Sequence, residues 1–337
     1  MTQVTNHHIE TSMQDYLNAH PGLRFVFYGG KGGVGKTVMA GCTAWWAASQ
    51  GKRVMLASTN PVHSLSSLLG QDVFGKPTLV QGASAALSRG NLWAYEIDTH
   101  DTIERSKQEI REKIQWFLKY ADISTKADEF VESATMNPAF EESAMFENMV
   151  DLMLKNEYDL YVFDTAPTAN ARRLLGMSQV YSLWVNKMLK SREEARSLRE
   201  MLSFTKKKEA DPLMDYLVTF RDRMGQARKL LTDPELTAFF FITLAEALPI
   251  AVITRFIGWF RDFGIPVGGV VVNMLIDQAQ VKPNSPDFVL NRVAMQDRYM
   301  EEIWQKFDGM VRSVVPLYET GVRGEPMLKR TAESLFA

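Results

Sequence analysis

A glycine-rich run at the end of an apolar segment limits the fold of this chain more than any other feature. Gly29-Gly30-Lys31-Gly32-Gly33-Val34-Gly35-Lys36-Thr37 follows the run 23–28 and precedes a helical stretch. From Gly30 to Thr37 it satisfies G-x-x-x-x-G-K-[ST], in the strand–loop–helix setting such a loop requires. The glycines let backbone N–H groups turn inward around phosphate oxygens. The helix that follows adds the positive end of its dipole. Nucleotide phosphates are therefore expected on Gly30, Lys31, Gly32, Gly33, Val34, Gly35, Lys36, Thr37 and Val38. Lys36 is expected on the β- and γ-phosphates, and the Thr37 hydroxyl on Mg2+.

A loop of this kind is built on an α/β sheet, and the rest of the chain agrees. Short apolar runs recur at 23–28, 53–57, 92–97, 160–163, 238–243, 267–272 and 310–315, each followed by a longer helical stretch. They are continuous rather than alternating, which suits strands buried on both faces. Strands alternating with helices predict a doubly wound, mostly parallel sheet with ligands at the carboxyl ends of its strands. Two stretches, 101–158 and 177–235, read as helical without strand signals, and 278–287 reads as an exposed loop around Pro283 and Pro286. The expected organisation is a flexible leader at 1–20, a P-loop domain from 21–176 and 236–337, and a helical insertion at 177–235.

Composition removes several function classes. With 38 basic and 40 acidic residues the chain has no basic excess, so nucleic acid is not an expected partner. A single cysteine, Cys42, excludes a disulfide framework and a cysteine-based zinc site within one chain. The histidines His7, His8, His20, His63 and His100 have no metal-ligand spacing. Residues 1–20 lack an apolar signal core. The most hydrophobic run, 237–260, holds Glu246, Pro249 and Arg255, which are costly or helix-breaking in a bilayer. It reads as a buried strand, a turn and a helix. A cytoplasmic protein is expected.

Further segments resemble the arsenical pump-driving ATPases and the guided-entry ATPases that deliver tail-anchored membrane proteins. Ser58-Thr59-Asn60-Pro61-Val62-His63-Ser64-Leu65-Ser66 resembles their switch I. Residues 158–168, ending Phe163-Asp164-Thr165-Ala166-Pro167-Thr168, resemble their Walker B strand and switch II. Val271-Val272-Asn273, Pro316-Leu317 and Val322-Arg323-Gly324 resemble their adenine-binding segments. Lys31 matches the second lysine of the deviant Walker A group. The resemblance implies an ATP-hydrolysing homodimer in which Lys31 reaches across to the partner's nucleotide. It gives Asp164 a Mg2+-holding role, and it puts Asn273, Pro316 and Glu246 at the nucleoside. The Asn273 amide can both donate and accept, as reading an adenine edge requires. In this family the region 177–235 supplies helices of a hydrophobic client groove.

The sequence departs from that pattern in specific places. Asn60 stands where the family has a water-polarising aspartate, and an amide cannot take the proton as a carboxylate can. Two readings follow: a slow ATPase or nucleotide-dependent switch, or an engineered trap that holds a dimer with ATP bound. The family's zinc-binding C-x-x-C positions fall near Pro286 and Val289, so no zinc is expected. Ala169-Asn170 replaces the G-H pair of switch II. Metalloid capture needs several thiolates, and Cys42 is the only one. Between 177 and 235 lie Met177, Trp184, Met188, Leu189, Met201, Leu202, Phe204, Met214, Leu217, Phe220 and Met224. Core packing and a client groove both fit such a run. The basic run Lys206-Lys207-Lys208 reads as a solvated face. The leading expectation is an ATP-driven dimer acting on a hydrophobic client or membrane partner. The alternatives are a non-hydrolysing regulatory switch and the energising subunit of an anion pump.

Overall fold

The computed structural model describes residues 9–59, 64–81, 91–120, 138–164, 186–187, 190 and 212–337. Contacts group the chain into two units: Met1–Asp98 with Lys155–Ala169 and Leu231–Ala337, and Thr99–Leu154 with Asn170–Leu230.

The first unit carries the sheet. Its elements run α1 (Met13–Ala19), β1 (Phe25–Gly30), α2 (Lys36–Ser49), β2 (Val54–Ser58), α3 (Ser64–Leu69), β3 (Thr78–Leu79) and β4 (Leu92–Glu96). After α4 (Thr99–Tyr120) and α5 (Pro138–Lys155), which belong to the second unit, β5 (Leu160–Asp164) returns to the sheet. Helix α6 (Pro212–Thr232) leads into β6 (Thr237–Thr243), α7 (Ala247–Asp262), β7 (Val267–Leu275), α8 (Asp287–Lys306), β8 (Val311–Pro316) and α9 (Gly324–Leu335). Among the described residues the strand order is β3-β4-β2-β5-β1-β6-β7-β8. Every pairing is parallel except that of β3 with β4. The doubly wound α/β fold expected from the apolar runs is the fold observed.

The central strands are buried on both faces, which is why their sequences do not alternate. β1, β5 and β6 are buried at every position. On one face Phe163, Phe27 and Phe239 stack across adjacent strands, with ring centroids 4.8 and 4.4 Å apart. Phe260 of α7 meets Phe239 edge-on at 4.8 Å. Burying each such ring contributes about 2–3 kcal/mol. On the other face Val26, Tyr28, Phe240 and Ile242 pack in one cluster with Met39, Ala40, Ala44 and Ala47 of α2. Gly41 lets that helix be crossed closely: a Cβ there would lie 2.7 Å from Leu68 and 3.2 Å from Leu328. Trp46 stacks on Phe336 just beyond α9 at 4.3 Å.

Three findings differ from the sequence reading. Part of the expected leader is the helix α1, closed by a capping box between Ser12 and Asp15 and anchored by the fully buried Met13. A short capped turn with one apolar anchor needs no long hydrophobic run to hold it. β3 is a two-residue antiparallel edge strand that periodicity could not reveal. The second unit takes in Thr99–Leu154 besides Asn170–Leu230, a wider span than the insertion expected at 177–235.

Within that second unit Asn148 donates to the Thr102 hydroxyl at 3.3 Å, and Arg223 pairs with Asp151. Met224, one of the methionines singled out above, is buried core. Met177, Trp184, Met188, Leu189, Met201, Leu202, Phe204 and Lys206–Lys208 lie outside the described residues, as do the side chains of Met214, Leu217 and Phe220. The run 237–260 is the buried strand β6, a turn and α7, and Pro249 falls in the helix's first turn, where it is tolerated. Among the described residues no helix is long and apolar enough to cross a membrane.

Candidate functional site

The P-loop leaves β1 at Gly30 and enters α2 at Lys36. Its path requires glycine at two points. At Gly30, φ is +146° and a Cβ would fall 2.5 Å from the Ile242 carbonyl oxygen; at Gly35, φ is +97° and a Cβ would fall 2.3 Å from the Asn273 Nδ2. Between them Val34 turns its side chain into the core, whereas Gly32 and Gly33 are exposed. The loop is thus pinned at its ends and open at its crest.

Helix α2 begins without a cap. Its N-cap is Gly35 in the left-handed region, which has no side chain to bond the first turn, and no acidic residue lies in that turn. The first N–H groups of a helix have no partner within it. Here they and the positive end of the dipole face the loop, the arrangement that receives phosphate. The Lys36 ammonium arcs back to donate to the Lys31 carbonyl at 3.2 Å. Burial lowers its pKa and the nearby Asp164 carboxylate opposes that shift. Lys31 is partly exposed and Val38 packs on the core cluster.

Asp164 is the last residue of β5, one strand over from the loop. One oxygen, Oδ2, accepts from the Thr37 hydroxyl at 2.6 Å and from the Ser58 hydroxyl at 3.3 Å. The other, Oδ1, is buried and has no hydrogen-bond partner among the described residues. Burial pushes the carboxyl pKa up, against the Thr37 hydrogen bond and the Lys36 charge. A buried carboxylate oxygen without a donor is expensive unless something positive completes it. A hydroxyl and an orphaned carboxylate oxygen beside a glycine cradle form a hard-oxygen set that fits Mg2+.

Asn273 ends the apolar part of β7. Its side-chain Nδ2 donates to the Val34 carbonyl at 2.9 Å, so it braces the P-loop. The sequence reading assigned this amide to adenine; one of its two N–H groups is engaged by the loop. Pro316 closes β8 and pairs in register with Leu275, two residues beyond Asn273. Glu246 precedes α7 and forms an ion pair with Arg292 of α8. The structure therefore gathers Gly30–Thr37 and Asp164 with Asn273, and places Pro316 and Glu246 at the carboxyl ends of neighbouring strands. Asn60 and 165–168 lie outside the described residues.

Two buried polar residues were missed by the sequence reading. Glu96 ends β4, and its carboxylate accepts from the Leu65 backbone N–H at 3.0 Å and the Ser66 hydroxyl at 2.6 Å. A charged residue closing the apolar run 92–97 was the available signal. Gln296 on α8 bonds the backbone on both sides of Leu275, at Met274 and Ile276. Nothing in its local sequence marks it.

Comparison with known proteins agrees with this geometry. The family model described as anion-transporting ATPase matches residues 23–337. The chain is 28% identical over 335 residues to ATPase ASNA1 homolog 2 of Paramecium tetraurelia, covering 97% of this chain and 98% of that protein. It is 29% identical over 325 residues to ATPase GET3A of Arabidopsis thaliana, covering 95% and 85%. To the putative arsenical pump-driving ATPase 2 of Aquifex aeolicus it is 26% identical over 317 residues, covering 93% and 99%.

Proposed function

Because the chain belongs to the anion-transporting ATPase family, we propose that it binds Mg-ATP at the P-loop and hydrolyses it as a cytoplasmic homodimer. Nucleotide state would be coupled to a hydrophobic protein client or a membrane partner. The observation that carries the nucleotide reading is the N-terminus of α2, without a side-chain cap, beside Asp164, whose Oδ1 has no partner among the described residues.

In this reading the backbone amides of Lys31–Thr37 and the Lys36 ammonium take the β- and γ-phosphates, and Lys36 exchanges its bond to the Lys31 carbonyl for phosphate oxygen. The Thr37 hydroxyl and Asp164 would hold Mg2+, the carboxylate directly or through water. An ion held there would supply positive charge to offset the negative charge developing as the terminal P–O bond breaks. The Asn60 amide orients a water toward the γ-phosphorus, and the proton leaves with the phosphate product. Lys31 adds positive charge to the site of the partner subunit. Pro316 and the Asn273 carbonyl oxygen border the adenine, with Glu246 at the sugar. The relatives' names, ASNA1, GET3A and arsenical pump-driving ATPase, support an ATP-driven role and leave the client to this proposal.

Asn60 also favours a second reading, a nucleotide-gated switch with little turnover. Phosphate release under saturating Mg-ATP separates the two. The ATPase reading expects release by the wild type and its loss in Lys36→Ala. ATP uptake without release supports the switch. Co-purification from the native host with mass spectrometry tests the client: a tail-anchored membrane protein supports targeting, and a soluble partner counts against it.

A further inference from the structure

The β7–β8 ladder breaks at a bulge between Val272 and Leu275. Met274, inside the bulge, has φ +60°, a left-handed backbone rarely adopted by a residue with a side chain. On the β8 side the Leu275 carbonyl accepts from the Leu317 N–H at 2.8 Å. Met274 and Ile276 flank Leu275 and are half-buried, and backbone groups withdrawn from water need partners.

Gln296 supplies both. Its Nε2 donates to the Met274 carbonyl at 3.0 Å, and its Oε1 accepts from the Ile276 N–H at 3.0 Å. Gln296 is buried at 5% exposure, and both bonds lie at its half-buried junction with β7. Asn273, the residue before Met274, is the one whose amide grips the Val34 carbonyl and lies against Gly35. One turn before Gln296 on α8, Arg292 pairs with Glu246, so a single helix face reaches the ends of both β6 and β7.

We propose that Gln296 is a positioning residue for the nucleotide site: its amide fixes the β7 bulge in the one geometry that aims Asn273 at the P-loop. This rests on the nucleotide reading above. Any shift of α8 then reaches the loop through the chain Gln296, Met274, Asn273 and Val34. The same connection would let nucleotide occupancy be felt along α8.

Mg-ATP affinity, measured by competition against a fluorescent ATP analogue, tests this in a mutant cycle. Gln296→Met keeps the length and removes both hydrogen bonds. It is expected to weaken affinity about tenfold, the equivalent of one net hydrogen bond. KM should change more than kcat. Asn273→Ala should lose a similar factor, and the double variant should be no weaker than Asn273→Ala alone, because both act through one contact. Adding Met274→Gly to Gln296→Met should restore most of the loss, since glycine takes the left-handed geometry freely. A folded Gln296→Met with wild-type affinity, or losses that multiply in the double variant, overturns the proposal. If Gln296→Met does not fold, hydrogen exchange on the wild type decides. Mg-ATP should slow exchange at the Ile276 N–H together with the P-loop amides, and protection of the loop alone overturns it. Wild type that takes up no Mg-ATP sinks the nucleotide reading and this inference together, whereas the variant results bear on Gln296 alone.

Discussion

Gly32, Gly33 and Gly35 are neighbours in one loop, yet an added methyl group meets a different environment at each. At Gly32 nothing lies within 4 Å of a built Cβ and φ is not positive. Gly32→Ala is expected to change stability little, or to stabilise by up to about 1 kcal/mol through a less flexible unfolded chain. At Gly33 space is open but φ is +82°. The left-handed penalty of about 1–2 kcal/mol, less the unfolded-state gain, leaves a net loss of about 1 kcal/mol. At Gly35 φ is +97° and the Cβ would sit 2.3 Å from the Asn273 Nδ2. Something must move, and the movable group is the Asn273 amide. Displacing it also costs its hydrogen bond to Val34, so Gly35→Ala should lose about 2–3 kcal/mol. Urea unfolding followed by far-UV circular dichroism, without nucleotide, measures all three. In an Asn273→Ala background the collision is gone, and the Gly35→Ala loss should fall to that of Gly33→Ala. Equal losses at Gly32 and Gly35, or a Gly35 loss unchanged by removing Asn273, would refute the reasoning.

Other expectations follow from the same geometry. Asp164→Asn should cut Mg-dependent phosphate release by about a hundredfold, by weakening the hold on the cation that offsets charge at the reacting phosphate. Because burial raises the Asp164 pKa, its contribution to the stability of the nucleotide-free protein is present below the unfolded value and lost as pH rises through the folded one. Asp164→Asn should flatten that part of the stability–pH curve, and an unchanged curve contradicts the burial argument. Since the ion needs the ionised carboxylate, Mg-ATP affinity of the wild type should rise with pH over the same interval. Asn60→Asp should raise single-turnover hydrolysis roughly a hundredfold by supplying a proton acceptor, and an equal or lower rate removes that role. Ser12→Ala should cost about 1 kcal/mol by opening the capping box of α1 while leaving Mg-ATP affinity unchanged, as titration and urea unfolding would show.

What the sequence revealed and what it hid divide along physical lines. The strands β1, β2, β4, β5, β6, β7 and β8 were legible because burial on both faces writes continuous apolar runs such as Phe239-Phe240-Phe241. The P-loop was legible because phosphate binding fixes glycine and lysine at set spacings. Asp164 was legible because it ends such a run. The two-residue β3 was not, since its pairing depends on β4 and not on its own composition. Nor was the α1 helix, which is held by one cap and by Met13, Tyr16 and Leu17 packing on the core. Gln296 was hidden for a deeper reason: its partners are backbone atoms twenty or more residues away, and backbone groups leave no trace in a sequence. The bond from Asn273 to Val34 was not legible either, because the pattern 271–273 locates a strand end and says nothing of which loop its amide meets.

The central claim is that the loop after β1 holds a triphosphate against Asp164. Calorimetric titration of Mg-ATP into folded wild-type protein tests it most directly. The account predicts saturable binding of one nucleotide per chain, abolished in a folded Lys36→Ala variant. Folded wild type that gives no binding heat at any temperature tried, with Mg2+ present, would contradict it.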